Sequence, residues 1–514
     1  MRTLSHFSFL WLCPLLLDLR GQQVPVIRAD VQLVEVSVVA TGAGGAPAEG
    51  LTKADFHVWD NGKEQAIAGF TRISAGPLAT AAATPEPALP AHTSSNRIGK
   101  AAPPQVLSMI LLDCENTKFR YQAVGRRAVE KILAQLGPQD RVALYALGRH
   151  FRLLTLHDFS SDKESLLANL EAYRGEPSDY EDSLVDLGFA EMGHPMAEGI
   201  TPPLQALRDN ERVLNTMKAM EALAARVKDV PGRKSLLWLS AGFPTVIDGT
   251  PESSGNPRSP YFRQFNPQLQ QTLARLNDAN VSVYPIDASG LSINPNIGTM
   301  ITIADATGGK AFYNRNDIAT GVRAALDDSR EMYVLTYAPQ PLVADGAHHT
   351  IKVASSRRGV RLRYRQGYDA PSRVESASAE AERRLTEVVS SPPDAPATGI
   401  QARVEPGQGE GDDVSVAIHI DSAALNLVPS AGRWTGALRL EAMQLGAAGE
   451  LLGGVSQAAE INLEPATYQR ALRQGLPFEM KLPRDPAAVA VRIGVVDEHG
   501  GHAGSLSVRL PPQR

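Results

Sequence analysis

The sequence is short of cysteines, of excess basic residues and of long apolar runs, and each shortage excludes a class of protein. Two cysteines among 514 residues, Cys13 and Cys114, cannot form the disulfide framework of a small secreted scaffold. Lys and Arg number 51 against 56 Asp and Glu, so the chain lacks the basic surplus of a nucleic-acid-binding protein. Beyond residue 22 no segment reaches the roughly 18 apolar residues that a membrane-spanning helix needs. The length and the 43% apolar content instead indicate a globular chain of several domains.

The sequence motifs of common enzyme classes are also missing. There is no Gly-x-Ser-x-Gly elbow, no His-Glu-x-x-His pair and no phosphate-binding loop. His150, His157 and His194 lie among polar residues without a nucleophile at a recognisable spacing. We therefore predict that the protein is not an enzyme. A remote alternative is a hydrolase that uses Asp113 and Glu115 as paired acids.

Residues 1–22 have the pattern of an export signal. Arg2 supplies the positive start, and an apolar core runs from Phe7 to Leu17. The region around Leu19-Arg20-Gly21-Gln22 lacks small residues at both cleavage positions, which leaves an uncleaved N-terminal anchor as the alternative. We predict an exported protein, periplasmic or secreted, without a membrane span once the signal is removed. Cys114 is then the one cysteine left, and we expect it to be a buried small hydrophobic residue.

A short apolar run, Val106 to Leu112, stops at Asp113 and is the most informative stretch of the chain. A run apolar on both faces predicts a strand in the middle of a parallel sheet. Asp113, Glu115 and Thr117 follow at alternate positions, so three oxygen-bearing side chains can converge at the carboxyl end of that strand. Ligands of open α/β sheets bind at this end.

Asp113-Cys114-Glu115-Asn116-Thr117 resembles the Asp-x-Ser-x-Ser metal motif of von Willebrand factor type A (vWA) domains, and the VWFA-related family of exported bacterial proteins is the most similar. The resemblance covers roughly residues 105–340 and includes Gly137-Pro138-Gln139-Asp140-Arg141-Val142 and Ala306-Thr307-Gly308-Gly309-Lys310. It implies an α/β fold: a doubly wound, mostly parallel sheet flanked by helices. β-sandwich elements are expected before and after it.

The metal site that the resemblance implies is altered in this chain. Glu115 and Thr117 replace the two serines, and Ala241 stands where the family carries a distant Asp. For the loop threonine, Thr201 and Thr216 are both candidates. Asp113, Glu115 and Thr117 could together hold Mg²⁺ or Ca²⁺ weakly. Alternatively, the site is metal-free and Asp113 accepts backbone N–H bonds at the start of the following helix.

Composition and periodicity divide the chain into seven segments. Residues 75–104, rich in Ala, Pro, Thr and Ser, cannot bury enough surface to order themselves and are predicted to be a linker or exposed loop. Within the α/β region, we expect an irregular insertion at 174–203, a short strand at 310–313 and a helix capped by Asn316. The predicted segments are a signal peptide (1–22), an N-terminal β segment (23–74), the linker (75–104), a vWA-like domain (105–332), a β segment that could pair with 23–74 (333–370), a second linker (371–398) and a C-terminal β-sandwich (399–514).

These features lead to a function hypothesis with one main alternative. We predict a non-catalytic binding or adhesion protein whose vWA-type domain engages a protein partner, with or without a weakly held divalent cation. Asp287, Ser240 and Asn116 are the predicted partner-binding residues because they lie at predicted strand ends or in the motif. The alternative is a metal-free scaffold in which the β regions bind.

Overall fold

The apolar run that ends at Asp113 forms the middle strand of a five-stranded sheet. The computed structural model describes residues 33–74, 93–96, 107–136, 140–176, 197–230, 232–248, 262–340, 346–370, 377–391, 394–406, 413–430, 432–447 and 449–511. The predicted signal peptide and most of the insertion lie outside these residues. No helix among them is long and apolar enough to cross a membrane.

The described residues contain eight α-helices and twenty-four strands. The helices are α1 (Phe119–Leu133), α2 (Lys163–Ala172), α3 (Ala197–Val227), α4 (Asn266–Asp278), α5 (Ile297–Thr307), α6 (Ile318–Arg330), α7 (Ala377–Ser390) and α8 (Pro465–Gln474). The strands are β1 (Val34–Thr41), β2 (Phe56–Asp60), β3 (Lys63–Gln65), β4 (Ile67–Ser74), β5 (Thr93–Ser95), β6 (Leu107–Asp113), β7 (Arg141–Gly148), β8 (Arg152–Ser160), β9 (Lys234–Ser240), β10 (Val246–Asp248), β11 (Phe262–Gln264), β12 (Val281–Asp287), β13 (Glu331–Tyr337), β14 (His348–Ser355), β15 (Arg361–Arg363), β16 (Gly367–Asp369), β17 (Ile400–Pro406), β18 (Asp413–Ile420), β19 (Val428–Ser430), β20 (Arg433–Leu445), β21 (Leu451–Leu463), β22 (Leu476–Pro483), β23 (Ala490–Asp497) and β24 (Ala503–Arg509).

The central sheet has the strand order β12-β9-β6-β7-β8. Its first four strands run parallel, and β8 closes one edge antiparallel to β7. Side chains of β6 alternate between two apolar cores. Met109 and Leu111 pack with α3, α4 and α5, whereas Ile110 and Leu112 pack with α1, α2 and α6. Because helices cover both faces, all seven residues of β6 are buried.

Details of this α/β layer differ from the sequence-based expectations. Lys310 to Tyr313 contribute an isolated bridge, Ile286 to Phe312, and no strand. Asp317, not Asn316, caps α6 by accepting from the Thr320 backbone N–H at 3.3 Å. The last residues of the predicted insertion, 197–203, belong to the long helix α3.

Two small sheets, with orders β15-β1-β13-β4 and β16-β14-β2-β3, are built from strands that flank the α/β layer in the sequence. β1 pairs antiparallel with β13, and β2 pairs antiparallel with β14. The two sheets share a core that includes Val36, Val58, Tyr333 and Val353. Residues from 33–74 and from 331–370 thus form one packing unit.

The C-terminal region contains two further sheets that share one apolar core. Their orders are β22-β18-β17-β5 and β19-β20-β23-β24, with β21 added to β20. Strand β5 comes from residues 93–95, inside the predicted linker, and pairs with β17 more than 300 positions away. Part of that segment is therefore ordered, because an open sheet edge elsewhere in the chain supplies the hydrogen bonds that its own composition cannot.

Candidate functional site at the carboxyl end of the central sheet

Three neighbouring strands of the central sheet end on polar residues. The ends of β12 and β9 lie side by side, with Asp287 opposite Ser240, and β6 ends on Asp113 next to β9. The carboxyl ends of parallel strands meet at one edge of a sheet, so sequence positions more than 100 apart come together here. The predicted site residues Asp113, Ser240 and Asp287 are in this way brought to the same edge.

The Asp113 carboxylate accepts hydrogen bonds from four protein donors. The Asn116 backbone N–H lies 3.0 Å from Oδ1, and Asn116 Nδ2 lies 2.8 Å from Oδ2. Trp238 Nε1 and Ser240 Oγ donate to Oδ2 at 2.9 and 2.7 Å. Burial raises the pKa of the Asp113 carboxyl, and the hydrogen bonds from Ser240, Trp238 and Asn116 oppose that rise. Both oxygens are thus already used for folding the loop onto the strand end.

Asn116 links this carboxylate to helix α3. Its Nδ2 also donates to Thr216 Oγ1 at 2.6 Å, and its Oδ1 accepts from Arg212 Nη1 at 2.6 Å. Arg212 further donates to Asp209 at 2.9 Å. Arg212, Asn215 and Thr216 have the i, i+3, i+4 spacing that places side chains on one face of a helix. Of the two threonines that the sequence leaves open, the structure places Thr216 in the network, while the side chain of Thr201 lies outside the described residues.

Glu115 and Thr117 belong to the same loop and are buried, each at most 2% exposed. Glu115 Oε1 accepts from Asn215 Nδ2 at 2.9 Å. Among the described residues, Thr117 Oγ1 and Asp287 Oδ2 are buried without a hydrogen-bond partner, while Asp287 Oδ1 accepts from the Ser289 backbone N–H at 2.9 Å. A cavity of about 20 Å³, lined by Asp113 and Thr117 among others, adjoins the loop. Its volume corresponds to about one water molecule.

As arranged, these side chains do not fit a divalent cation. Mg²⁺ and Ca²⁺ require six or more oxygen ligands, but Asp113 Oδ2 already accepts from three protein donors and Oδ1 accepts from one. Ala241 contributes only a methyl group where the resemblance implies a carboxylate. No group of three or more His, Cys, Asp or Glu residues among the described parts of the chain could hold a metal. The Mg²⁺ or Ca²⁺ site on Asp113, Glu115 and Thr117 stays a prediction that this geometry does not support.

The geometry gives no support to the hydrolase alternative either. Asp113 and Glu115 are each 1% exposed, so a substrate could not reach them in this conformation. Ser240 Oγ donates to a carboxylate and has no histidine as a partner base. His157 contacts Ser165 at 2.8 Å and the Asp158 backbone carbonyl at 2.7 Å, an arrangement that ties β8 to α2.

The predicted partner-binding residues lie below the surface. Asp287, Ser240 and Asn116 are 2%, 0% and 2% exposed. A partner could touch them only after the loop 114–118 moves, and their role stays a prediction. Trp238, Arg212 and Asn215, which sequence reasoning missed, hold this loop closed. The i, i+3, i+4 spacing on α3 is the signal that could have identified the last two.

Three comparisons place the chain beside known proteins. No family model and no curated protein match the chain. Solved structures that are similar include an aerotolerance-related membrane protein from Bacteroides fragilis, at 15% identity over 43% of this chain and 98% of that one with a TM-score of 0.25. The SpRpn10 VWA domain matches at 11% identity over 43% and 95%, with a TM-score of 0.23. The manganese-loaded TRAP protein of Plasmodium vivax matches at 11% identity over 54% and 97%, with a TM-score of 0.22.

The α/β layer has the strand order and the helix-covered faces of a vWA-type fold. Overlaps with such low scores carry no inference about function. The assignment depends on the molecule itself: the Asp113 strand in the middle of a mostly parallel sheet, helices on both faces, and the altered motif at the carboxyl end.

Proposed function

We propose that this protein is a non-catalytic binding protein whose vWA-type layer engages a protein partner through an apolar rim above the closed Asp113 network. The observation that carries the proposal is a group of exposed apolar side chains at this end of the sheet. Phe119 is 49% exposed, Leu291 63%, Ile293 99% and Tyr313 37%. We call these four residues the rim.

The rim residues lie on three neighbouring segments. Phe119 begins α1, directly after the motif loop, and Leu291 and Ile293 lie in the loop after β12. Tyr121 Oη and Ser292 Oγ are 3.1 Å apart, which joins the start of α1 to that loop. A Cβ on Gly290 would lie 3.3 Å from Asn316 Oδ1, so the segment that carries Tyr313 is adjacent as well. The rim is therefore one surface and not four scattered side chains.

The chemistry of the rim favours a protein partner with an apolar surface and flanking carboxylates. Burying a side chain such as Leu291 or Ile293 contributes about 1.5–3 kcal/mol. Exposed apolar patches with polar borders mark interaction sites. The exposed residues Arg120 and Arg315 border this patch, and arginine and aromatic residues are the types enriched at the centre of interfaces. Because protein donors already compensate the Asp113 carboxylate, we propose that binding requires no divalent cation. The same proposal includes export of the chain, which the pattern of residues 1–22 predicts.

The test compares matched surface substitutions in the full chain. Ile293→Asp and Leu291→Ser change the rim, whereas Leu451→Ser and Val489→Ser change apolar residues of the C-terminal sheets that are 44% and 48% exposed. A partner is identified by photo-crosslinking from the rim, purified, and titrated against all four variants by calorimetry, with and without EDTA. We expect the rim variants to weaken binding at least about tenfold, or about 1.4 kcal/mol, and the controls and EDTA to leave it unchanged.

The same titrations distinguish the alternatives. Loss of affinity in Leu451→Ser or Val489→Ser alone would move the binding surface to the C-terminal sheets, as the scaffold hypothesis states. Loss of affinity in EDTA that is restored by Mg²⁺ or Ca²⁺ would overturn the cation-independent part.

A further inference from the structure

Asn96 makes the most concentrated set of hydrogen bonds outside the Asp113 network. Its side chain is 3% exposed although it directly follows the three-residue strand β5. Nδ2 lies 2.7 Å from the Ala395 carbonyl oxygen, 3.2 Å from that of Thr398 and 2.9 Å from that of Ser505. Oδ1 accepts from the Ile400 backbone N–H at 2.6 Å, and the Asn96 backbone N–H donates back to the Ile400 carbonyl at 3.1 Å.

The pocket that receives Asn96 is built by the C-terminal region. Ala395, Thr398 and Ser505 are each at most 2% exposed. The Ser505 backbone N–H donates to the Ala395 carbonyl at 2.9 Å, and the Ala395 N–H donates to Ser505 Oγ at 3.0 Å. These bonds hold the pocket walls together without any contribution from Asn96. The pocket lies where β17 of one sheet comes close to β24 of the other.

The pocket has the chemistry to select a carboxamide. Three carbonyl oxygens, those of Ala395, Thr398 and Ser505, and the Ile400 N–H all face the tip of the same side chain. A carboxamide offers both a donor and an acceptor, whereas a carboxylate offers acceptors only and would face three carbonyl oxygens. Thr93, Ser94 and Ser95 are only partly buried and add backbone pairing along β17, opposite Arg403, Ala402 and Gln401.

We propose that the edge of β17 and the Asn96 pocket form an acceptor site for an extended peptide that carries an asparagine. The occupant in this structure is the chain's own segment Thr93–Asn96. Addition of a strand to an open sheet edge obtains its affinity from backbone hydrogen bonds and its specificity from side-chain pockets. β17 runs from Ile400 to Pro406, and the described residues of β5 pair with three of its positions, Gln401 to Arg403.

The first test removes the occupant's anchor and supplies the peptide separately. Full-length Asn96→Ala and a control, Ser94→Ala, are titrated by fluorescence anisotropy with a labelled synthetic peptide of residues 90–98. A second peptide has alanine in place of the asparagine. We expect Asn96→Ala to bind the asparagine peptide at least about tenfold more tightly than the alanine peptide. Wild type and Ser94→Ala, whose sites are filled, should bind neither measurably. Equal binding of both peptides, or of none, by an Asn96→Ala chain with unchanged far-UV circular dichroism would overturn the proposal.

A second measurement does not depend on the variant's folding. In hydrogen exchange of the wild type, the Ile400 amide, which donates to Asn96, should exchange faster than the Val495 amide in the core of the same region, because the occupant leaves by local opening. Equal protection of the two amides would contradict a displaceable strand. Light scattering after gel filtration gives the final check. A wild-type dimer that becomes monomeric in Asn96→Ala would place the segment in a second copy and overturn the intramolecular assignment.

Discussion

Lys234 is buried at the amino end of the central sheet, and its titration should contribute to the pH dependence of stability above about pH 7. It begins β9, is 2% exposed, and its Nζ donates to the Val230 carbonyl at 2.7 Å. Burial lowers the pKa of the Lys234 ammonium to about 7, although Glu35 and Asp229 act in the opposite direction. A pKa that folding lowers means that the folded state loses its proton first.

The sign and the size of the effect follow from proton linkage. Below about pH 7, Lys234 is protonated in both the folded and the unfolded protein, so the folded state bears the full cost of a buried charge. Between pH 7 and the ordinary lysine pKa of 10.5, the unfolded state binds more protons, so the free energy of unfolding rises with pH. The slope is about 1.4 kcal/mol per pH unit, and the whole window contributes about 5 kcal/mol.

Lys234→Met keeps most of the volume and cannot titrate. We expect the variant to be more stable than the wild type near neutral pH, and the difference to shrink by about 3 kcal/mol over two pH units above about pH 7.5. Urea unfolding followed by tryptophan fluorescence measures both proteins at each pH. Lys481→Met, at a side chain 72% exposed, is the matched control. It should change neither the free energy of unfolding near neutral pH nor its dependence on pH. A difference between Lys234→Met and wild type that stays constant with pH would refute a buried lysine of lowered pKa.

Three further predictions concern single buried positions. Asp113→Asn replaces one carboxylate oxygen, which accepts hydrogen bonds, with an NH2 group that donates them, and the Trp238 Nε1–H needs an acceptor. The variant should lower the free energy of unfolding by about 3 kcal/mol in the same assay. Unchanged stability would contradict the role of the Asp113 carboxylate as the acceptor of four donors. Gly309→Ala would place a Cβ 1.8 Å from the Val283 carbonyl oxygen and should destabilise by more than about 3 kcal/mol, whereas Gly298→Ala, in open space, should not; similar melting temperatures would refute the close approach. Burial raises the pKa of the Cys114 thiol to about 12, so in a Cys13→Ser chain Ellman's reagent at about pH 8 should label Cys114 only after unfolding, and labelling of that folded variant would refute the burial of Cys114.

The course of the α/β layer was predictable because its signals are local. The apolar runs before Asp113, Ser240 and Asp287 are long enough to be buried strands, and α1 and α6 have amphipathic stripes. The burial of individual side chains on a helix was less predictable. Val124 and Leu207 fit the apolar stripes of α1 and α3, yet they are 41% and 56% exposed. Periodicity specifies a stripe, but the neighbouring element decides how wide a part of it is covered.

The closed state of the site and the role of Asn96 were not predictable, because both depend on partners far away in the sequence. Arg212 reaches Asn116 across 96 positions, and Trp238 reaches Asp113 across 125. Asn96 lies in a segment of small polar residues, which carries no periodic signal of a strand. The segment is ordered by the edge of β17, and no property of residues 75–104 themselves reveals that edge.

Ala241 stands where the vWA resemblance implies a carboxylate. This difference changes the electrostatics of the carboxyl end of the sheet. Position 241 offers no carboxylate to a cation, and neutral donors compensate the buried Asp113 carboxylate instead. Ser240 does this at 2.7 Å, and its Oγ in turn accepts from the Gly242 backbone N–H at 2.8 Å, so the loop after β9 is drawn toward Asp113. A closed edge of this kind cannot offer a metal coordination position to a partner's carboxylate. The proposed recognition at this end of the sheet therefore depends on the exposed rim side chains, Phe119, Leu291, Ile293 and Tyr313.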